Sequence, residues 1–285
     1  MQRRFETRED QPSRTADLMI ILDSTGSMGK YHRALRESLA DVIRTFEQYR
    51  ISVRFGLTMF RDLVSKTHYD KGHSALHVFP MRQISEQGNR NLMGLVYSWN
   101  LNLKLVSENS NIPTFTDDVD AAASIISQLR PRGGGGNPTE SSYDALALSI
   151  NNVDWTPGSE RVVLLFTDQP PNIPDYFIKS EDELINQISR KIDQIHIFSI
   201  SPQSYRGLAR LRKQNNSPIL PNHWPLQEAA AGDEMRKLLD SFARTTSQTI
   251  DNSNKNQKDE VETVDIDFVG PTDEDEDEDY NPFID

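Results

Sequence analysis

"DLMIILDSTGSMGK", residues 17–30, runs from a continuous apolar stretch into an aspartate, closely spaced hydroxyl residues and two glycines. An unbroken apolar run of this kind suits a strand covered on both faces, so 17–22 predicts a parallel strand inside a sheet. The run stops on Asp23 with Thr25 and Ser27 behind it, and that ending needs a chemical reason. Three offer themselves. The oxygens can ligate a metal, Asp23 can act as a phosphoryl-accepting nucleophile, or Ser27 can act as an acylating nucleophile.

Outward from this stretch, Tyr31, Leu35, Leu39, Val42, Ile43 and Phe46 recur at helical spacing and predict an amphipathic helix over about 29–49. "ISVRFGLTMF" (51–60) reads as a second strand and "ALHVFP" (75–80) as a third, antiparallel to it. Residues 85–113 are polar and Asn-rich and read as an insertion. Thr116 is placed to cap a helix over 116–129. After "RPRGGGG", Asn137 is placed as the cap and Pro138 as the first residue of a further helix. "RVVLLFTD" (161–168) is the clearest strand, "SEDELINQISRKIDQ" a helix, "IHIFSIS" a strand and "QSYRGLARLRKQ" a helix. A last helix lies within "LQEAAAGDEMRKLLDSFART". Such alternation predicts the α/β class: a doubly wound, mostly parallel central sheet with one antiparallel strand and helices on both faces.

The net charge of −12 is unevenly spread over the 285 residues. Thirteen of the 43 acids and none of the 31 bases fall between Asp259 and Asp285, which leaves a nearly neutral body. A neutral body argues against general nucleic-acid binding, whose affinity comes from a basic face. With no cysteine, thiolate metal sites, disulfides and cysteine nucleophiles are excluded. The first 17 residues contain no apolar core of a secretory signal, and no apolar run approaches a membrane span. The expectation is a cytoplasmic protein, or an extracellular one if a leader has been removed. The predicted organisation is a polar arm over 1–15, an α/β domain over 16–246 and a disordered acidic tail over 247–285.

Functional groups of open α/β sheets collect beyond the carboxyl ends of the strands. Asp23 and Asp168 both end strands there, and the antiparallel third strand brings the glycine-rich turn 133–136 to the same rim. Asp23, Thr25, Ser27, the segment Asn137–Thr139 and Asp168 thus converge as hard oxygen donors, a set suited to Mg²⁺, with Mn²⁺ or Ca²⁺ as alternatives. Asn137 can instead simply cap its helix, and Asp62, at the end of "TMFRD", reaches the same rim as an outer neighbour or as a plain surface acid. His68, His73 and His77 with Asp70 read better as a chance cluster than as a second metal site.

The enzyme readings lack parts. "DSTGS" has no accompanying paired-acid motif for phosphoryl transfer. Ser27, Asp168 and His196 fall in a hydrolase order, but the glycine two residues before the serine of a nucleophile elbow is missing and His196 lies inside a strand. "GSMGK" does not match a phosphate loop. A hydrolase or phosphotransferase using Asp23 or Ser27 is the alternative to a non-enzymatic binding module.

D-x-T-x-S in "DSTGSMG", the later turn "GGGGNPTE" and the strand ending in "LLFTDQPP", in that order, resemble a von Willebrand factor A domain over roughly 16–246. The resemblance implies a metal-ion-dependent adhesion site. In it Thr25 and Ser27 ligate the metal directly, while Asp23 and Asp168 hold it largely through water. The third loop contributes Asn137 or Thr139, with Glu140 beside it. It also implies a partner protein that supplies an aspartate or glutamate to the open metal position, often within a multiprotein assembly. The tail "DEDEDEDYNPFID" offers a solvating function or a docking motif with Phe283 and Ile284 as anchors. Its carboxylates are also candidates for an intramolecular contact, with the metal or with the basic stretch Arg206, Arg210, Arg212 and Lys213.

Overall fold

The structure is a computed structural model that describes residues 14–61, 76–79, 97–98, 114–118, 120, 131, 138–226 and 232–262. The chain divides into two units, Met1–Ser247 and Gln248–Asp285. Strand β1 (Arg14–Asp23) is followed by a 3₁₀ turn (Gly26–Met28), helix α1 (Gly29–Gln48), and strands β2 (Ile51–Phe60), β3 (Leu76–Phe79) and β4 (Tyr97–Ser98). Then come α2 (Ser142–Asn151), β5 (Glu160–Thr167), α3 (Glu181–Ile188), β6 (Gln194–Ser199), a 3₁₀ segment (Pro202–Arg210), β7 (Asn222–Pro225) and α4 (Gly232–Glu262).

The strands lie in the order β4-β3-β2-β1-β5-β6-β7. From β2 to β7 neighbouring strands are parallel, whereas β3 runs antiparallel to both β2 and β4. The doubly wound, mostly parallel sheet expected from the alternation is therefore present, with β3 as its reversed strand.

Eight successive residues of β1, Ala16–Asp23, are buried, because the sheet is covered on both sides. On one face Met19, Ile21, Val163, Leu165, Ile195 and Ile197 pack with Tyr143, Leu146 and Ile150 of α2 and Leu184 and Ile188 of α3. On the other face Phe198 lies under Phe242 of α4, and Phe242 meets Phe46 of α1 edge-on at 6.0 Å. At β5–β6 a stacked pair, Phe166 and Phe198 at 4.3 Å, joins the strands. Among the described residues no helix is long and apolar enough to cross a membrane.

Several boundaries differ from the sequence reading. Helix α2 starts at Ser142 with Ser141 at its cap, not at Pro138 with Asn137 as cap. The reason is that the intervening backbone is used elsewhere. Glu140 N–H donates to the Pro170 carbonyl at 2.9 Å, and Asn172 N–H donates to the Glu140 carbonyl at 2.8 Å. The segment after β6 is a 3₁₀ helix that ends at Arg210, not an α-helix. Tyr97–Ser98, inside the stretch read as an insertion, joins the sheet edge as β4. Strand β7 was not expected, because "NHWP" lacks a strand pattern. Helix α4 runs through Glu262, past Ser247, where the sequence reading begins a disordered tail. The helix expected over 116–129 lies mostly outside the described residues.

Candidate functional site

Strand order reverses across β1. Its chain neighbour β2 lies on one side and the later strand β5 on the other. At such a switch point the connections leave in opposite directions, and a crevice opens beyond the carboxyl ends of the two strands. Asp23 ends β1, and Asp168 directly follows Thr167, the last residue of β5. Both carboxylates therefore stand at this crevice, Asp23 fully buried and Asp168 7% exposed.

The loop behind Asp23 is organised by its own side chains. Thr25 donates to Asp23 Oδ1 through its N–H at 2.9 Å and its hydroxyl at 2.8 Å. Because that hydroxyl gives its proton to a carboxylate, its lone pairs are left for an electron-pair acceptor. The Ser27 hydroxyl lies 3.2 Å from it and is exposed. Asp23 Oδ2 accepts from the Thr167 hydroxyl at 3.1 Å, which ties the ends of β1 and β5 together. Burial pushes the Asp23 carboxyl up to about 7 against the Thr25 donors, and the charge of Asp168 adds to the rise. Asp168 Oδ1 is buried without a hydrogen-bond partner among the described residues.

Two buried carboxylates, one with an oxygen that has no partner among the described residues, could hold a cation between them. The surrounding hydroxyls suit a hard one. Among the described residues no three His, Cys, Asp or Glu side chains gather into a metal cluster, so any ion here depends on hydroxyl oxygens as well.

Thr139 reaches the same rim by another route. Its hydroxyl donates to Asn172 Oδ1, and Asn172 Nδ2–H donates to Ser141 Oγ at 3.4 Å. The segment before α2 is thus fastened to the loop that follows Asp168. Glu140 is buried within it. Asn137, the glycine turn, Asp62, His68, His73 and Asp70 lie outside the described residues, as do Phe283 and Ile284. His77 is placed on β3 opposite Met59. Of the basic stretch, Arg210 already pairs with Glu181 and Asp182 and Lys213 with Glu160.

His196, the third member of the hydrolase reading, is fully buried in β6. Its Nδ1 accepts from Trp224 Nε1–H at 3.3 Å and its Nε2 lies 3.2 Å from the Thr246 hydroxyl. Burial pushes this imidazole down to about 3, so it is a neutral core side chain.

Four contributors escaped the sequence reading. Thr167 was visible only as part of the "TD" strand end. His32, 5% exposed, has Nε2 at 2.6 Å from the Asp23 carbonyl. Burial lowers it to about 4, with the Arg61 charge acting in the same direction. Buried Arg61 donates to the Ser24 carbonyl at 3.3 Å and hydroxyl at 3.4 Å. For His32 the signal was its spacing: it follows Tyr31 on the helix face that carries Leu35 toward the sheet. Arg61 and Asn172 carried no pattern of their own.

No family model matches the chain, and no curated protein matches it. Among solved structures, three of proximal thread matrix protein 1 from the mussel byssus are similar, each at 11% identity, with TM-scores of 0.45 to 0.46. One of the three is described as having a zinc-occupied MIDAS motif. The likeness covers 81–82% of this chain but only 46–47% of those chains, so this protein spans about half their length.

Proposed function

We propose that this protein is a divalent-metal-dependent protein-binding module of the von Willebrand factor A type. The reading rests above all on one observation: the buried Asp23–Asp168 pair at the sheet's switch point, with Asp168 Oδ1 unpartnered among the described residues. The D-x-T-x-S sequence and the attachment of Thr139 to the loop after Asp168 support it.

In this reading Thr25 and Ser27 offer hydroxyl lone pairs to the ion, Asp23 and Asp168 supply charge, and Asn137 or Thr139 completes the set from the third loop. Thr25 and Thr167 hold the Asp23 carboxylate and keep its charge directed into the crevice. When bound, a Mg²⁺ or Mn²⁺ ion with few anionic protein ligands supplies a Lewis-acidic position that favours an incoming carboxylate. The partner is accordingly a protein that presents an aspartate or glutamate, and the chain acts by binding, without turnover.

The test is calorimetry and thermal unfolding of the full chain with MgCl₂ and with MnCl₂. The expected result is millimolar or tighter binding with a raised Tm, both lost in Asp23→Ala. A well-folded protein that shows no heat and no shift with either ion contradicts the proposal. A phosphatase, ATPase or esterase activity lost specifically in Ser27→Ala contradicts the non-catalytic part of it.

A further inference from the structure

The loop that carries the candidate ligands is held from behind by side chains outside its motif. His32 lies on the first turn of α1, and because a carbonyl can only accept, its Nε2 carries the proton shared with Asp23 O at 2.6 Å. Its Nδ1 is buried with no hydrogen-bond partner among the described residues. Next along the chain, Ser24 N–H donates to the Phe60 carbonyl at 2.8 Å. Arg61 holds the Ser24 carbonyl, and Thr25 N–H returns to Asp23 Oδ1. The two peptide units between Asp23 and Thr25 are thereby fixed at each polar group.

A side chain kept only to fill space would not need to be an imidazole. A buried ring with one unpaired nitrogen carries a desolvation cost that a leucine of similar size avoids. What the imidazole supplies is the bond to the Asp23 carbonyl.

We propose that His32 is a positioning residue for the Asp23–Ser27 loop. Through the Asp23 carbonyl it fixes the direction in which the Asp23 carboxylate and the Thr25 and Ser27 hydroxyls face the crevice. The inference rests on the metal reading only for what the loop is aimed at, since the loop's conformation can be measured without metal. Residues that orient metal ligands from behind typically change affinity by about 10–100-fold when removed.

Three variants separate positioning from packing. His32→Leu keeps the volume and removes the donor. His32→Gln carries an amide N–H as many bonds from Cβ as Nε2. His32→Asn carries the same amide one bond short. Amide hydrogen exchange of Thr25, read by NMR in EDTA, reports the loop directly. Exchange at Thr25 is expected to accelerate about tenfold in His32→Leu and His32→Asn and to return near wild type in His32→Gln. The Kd for Mg²⁺ is expected to follow the same order, weakened about tenfold in the first two and within about threefold in the third.

If His32→Leu does not fold, the Asn and Gln variants still make the comparison. Unchanged Thr25 exchange in His32→Leu and His32→Asn, or exchange as fast in His32→Gln as in them, overturns the proposal. Should the wild-type chain bind neither Mg²⁺ nor Mn²⁺, the metal reading fails while the exchange comparison still decides the role of His32.

Discussion

Strand β1 carries two fully buried aspartates, Asp17 near its start and Asp23 at its end, and their surroundings differ in one respect. Asp17 has its own cation. Arg54 binds it through Nε at 2.8 Å and through a second guanidinium nitrogen at 3.0 Å. Thr156 N–H adds a bond at 2.6 Å and the Ser159 hydroxyl one at 2.9 Å. Burial alone would raise the Asp17 carboxyl, but the Arg54 and backbone donors outweigh it and hold the group low. Among the described residues the donors to the Asp23 carboxylate are Thr25 and Thr167, both neutral, and its charged neighbour is another aspartate. One end of the strand is a finished ion pair. The other is a pair of buried carboxylates, and among the described residues the hydrogen bonds to Asp23 come from neutral donors.

Breaking the finished end should cost most. Arg54→Leu leaves Asp17 buried and unpaired, for which a loss of about 3 kcal/mol in denaturant unfolding is expected. At the other end the sign reverses. Asp168→Asn removes a charge that raises the Asp23 carboxyl, so the metal-free protein should be more stable than wild type in denaturant unfolding. The same variant should lose the stabilisation by Mg²⁺. A metal-free Asp168→Asn protein clearly less stable than wild type would mean that the crevice is already balanced.

The pH dependence sharpens the contrast further. Asp17 is lowered in the fold, so its contribution is present above the unfolded value near 3.8 and is lost as pH falls through the folded one. Asp23 is raised to about 7, so in EDTA its contribution is intact below the unfolded value near 3.8 and is lost progressively as pH rises to about 7. Unfolding in EDTA from pH 5 to 8 should show the wild type losing stability relative to Asp23→Asn up to about pH 7 and a constant difference above it. The smallest effect is expected at the third loop. Asn172→Ala removes the bonds to Thr139 and Ser141, and a loss of about 0.5–1 kcal/mol is expected, with Mg²⁺ binding weakened but retained.

What was legible in the sequence follows from which interactions are local. The apolar runs at 18–22 and 162–166 announced parallel strands because burial on both faces leaves no polar position within them. Asp23, Thr25 and Ser27 could be read together because one loop carries all three. Asp168 was legible because a strand ends directly before it. The start of α2 was misplaced because Pro138 satisfies the local rules for a first helical turn, while the loop at 170–172, distant in sequence, takes the backbone bonds of Glu140. His32, Arg61 and Asn172 act through backbone carbonyls or side chains on other elements, contacts for which a sequence carries no spacing rule. Strand β7 forms because β6 offers it an edge, not because "NHWP" favours extension.

The most direct test of the account distinguishes the two ends of β1, which are about 20 Å apart at some 3.3 Å per residue. Substoichiometric Mn²⁺ added to the ¹⁵N-labelled full chain broadens amide resonances near wherever the ion binds. With the ion in the crevice, Ser24, Thr25, Thr167 and Asp168 broaden first, while Asp17, Arg54 and Ser159 stay sharp, and Asp168→Asn abolishes the effect. Broadening confined to the acidic stretch 259–285, or present at the Asp17 end and absent around Thr25, would contradict it.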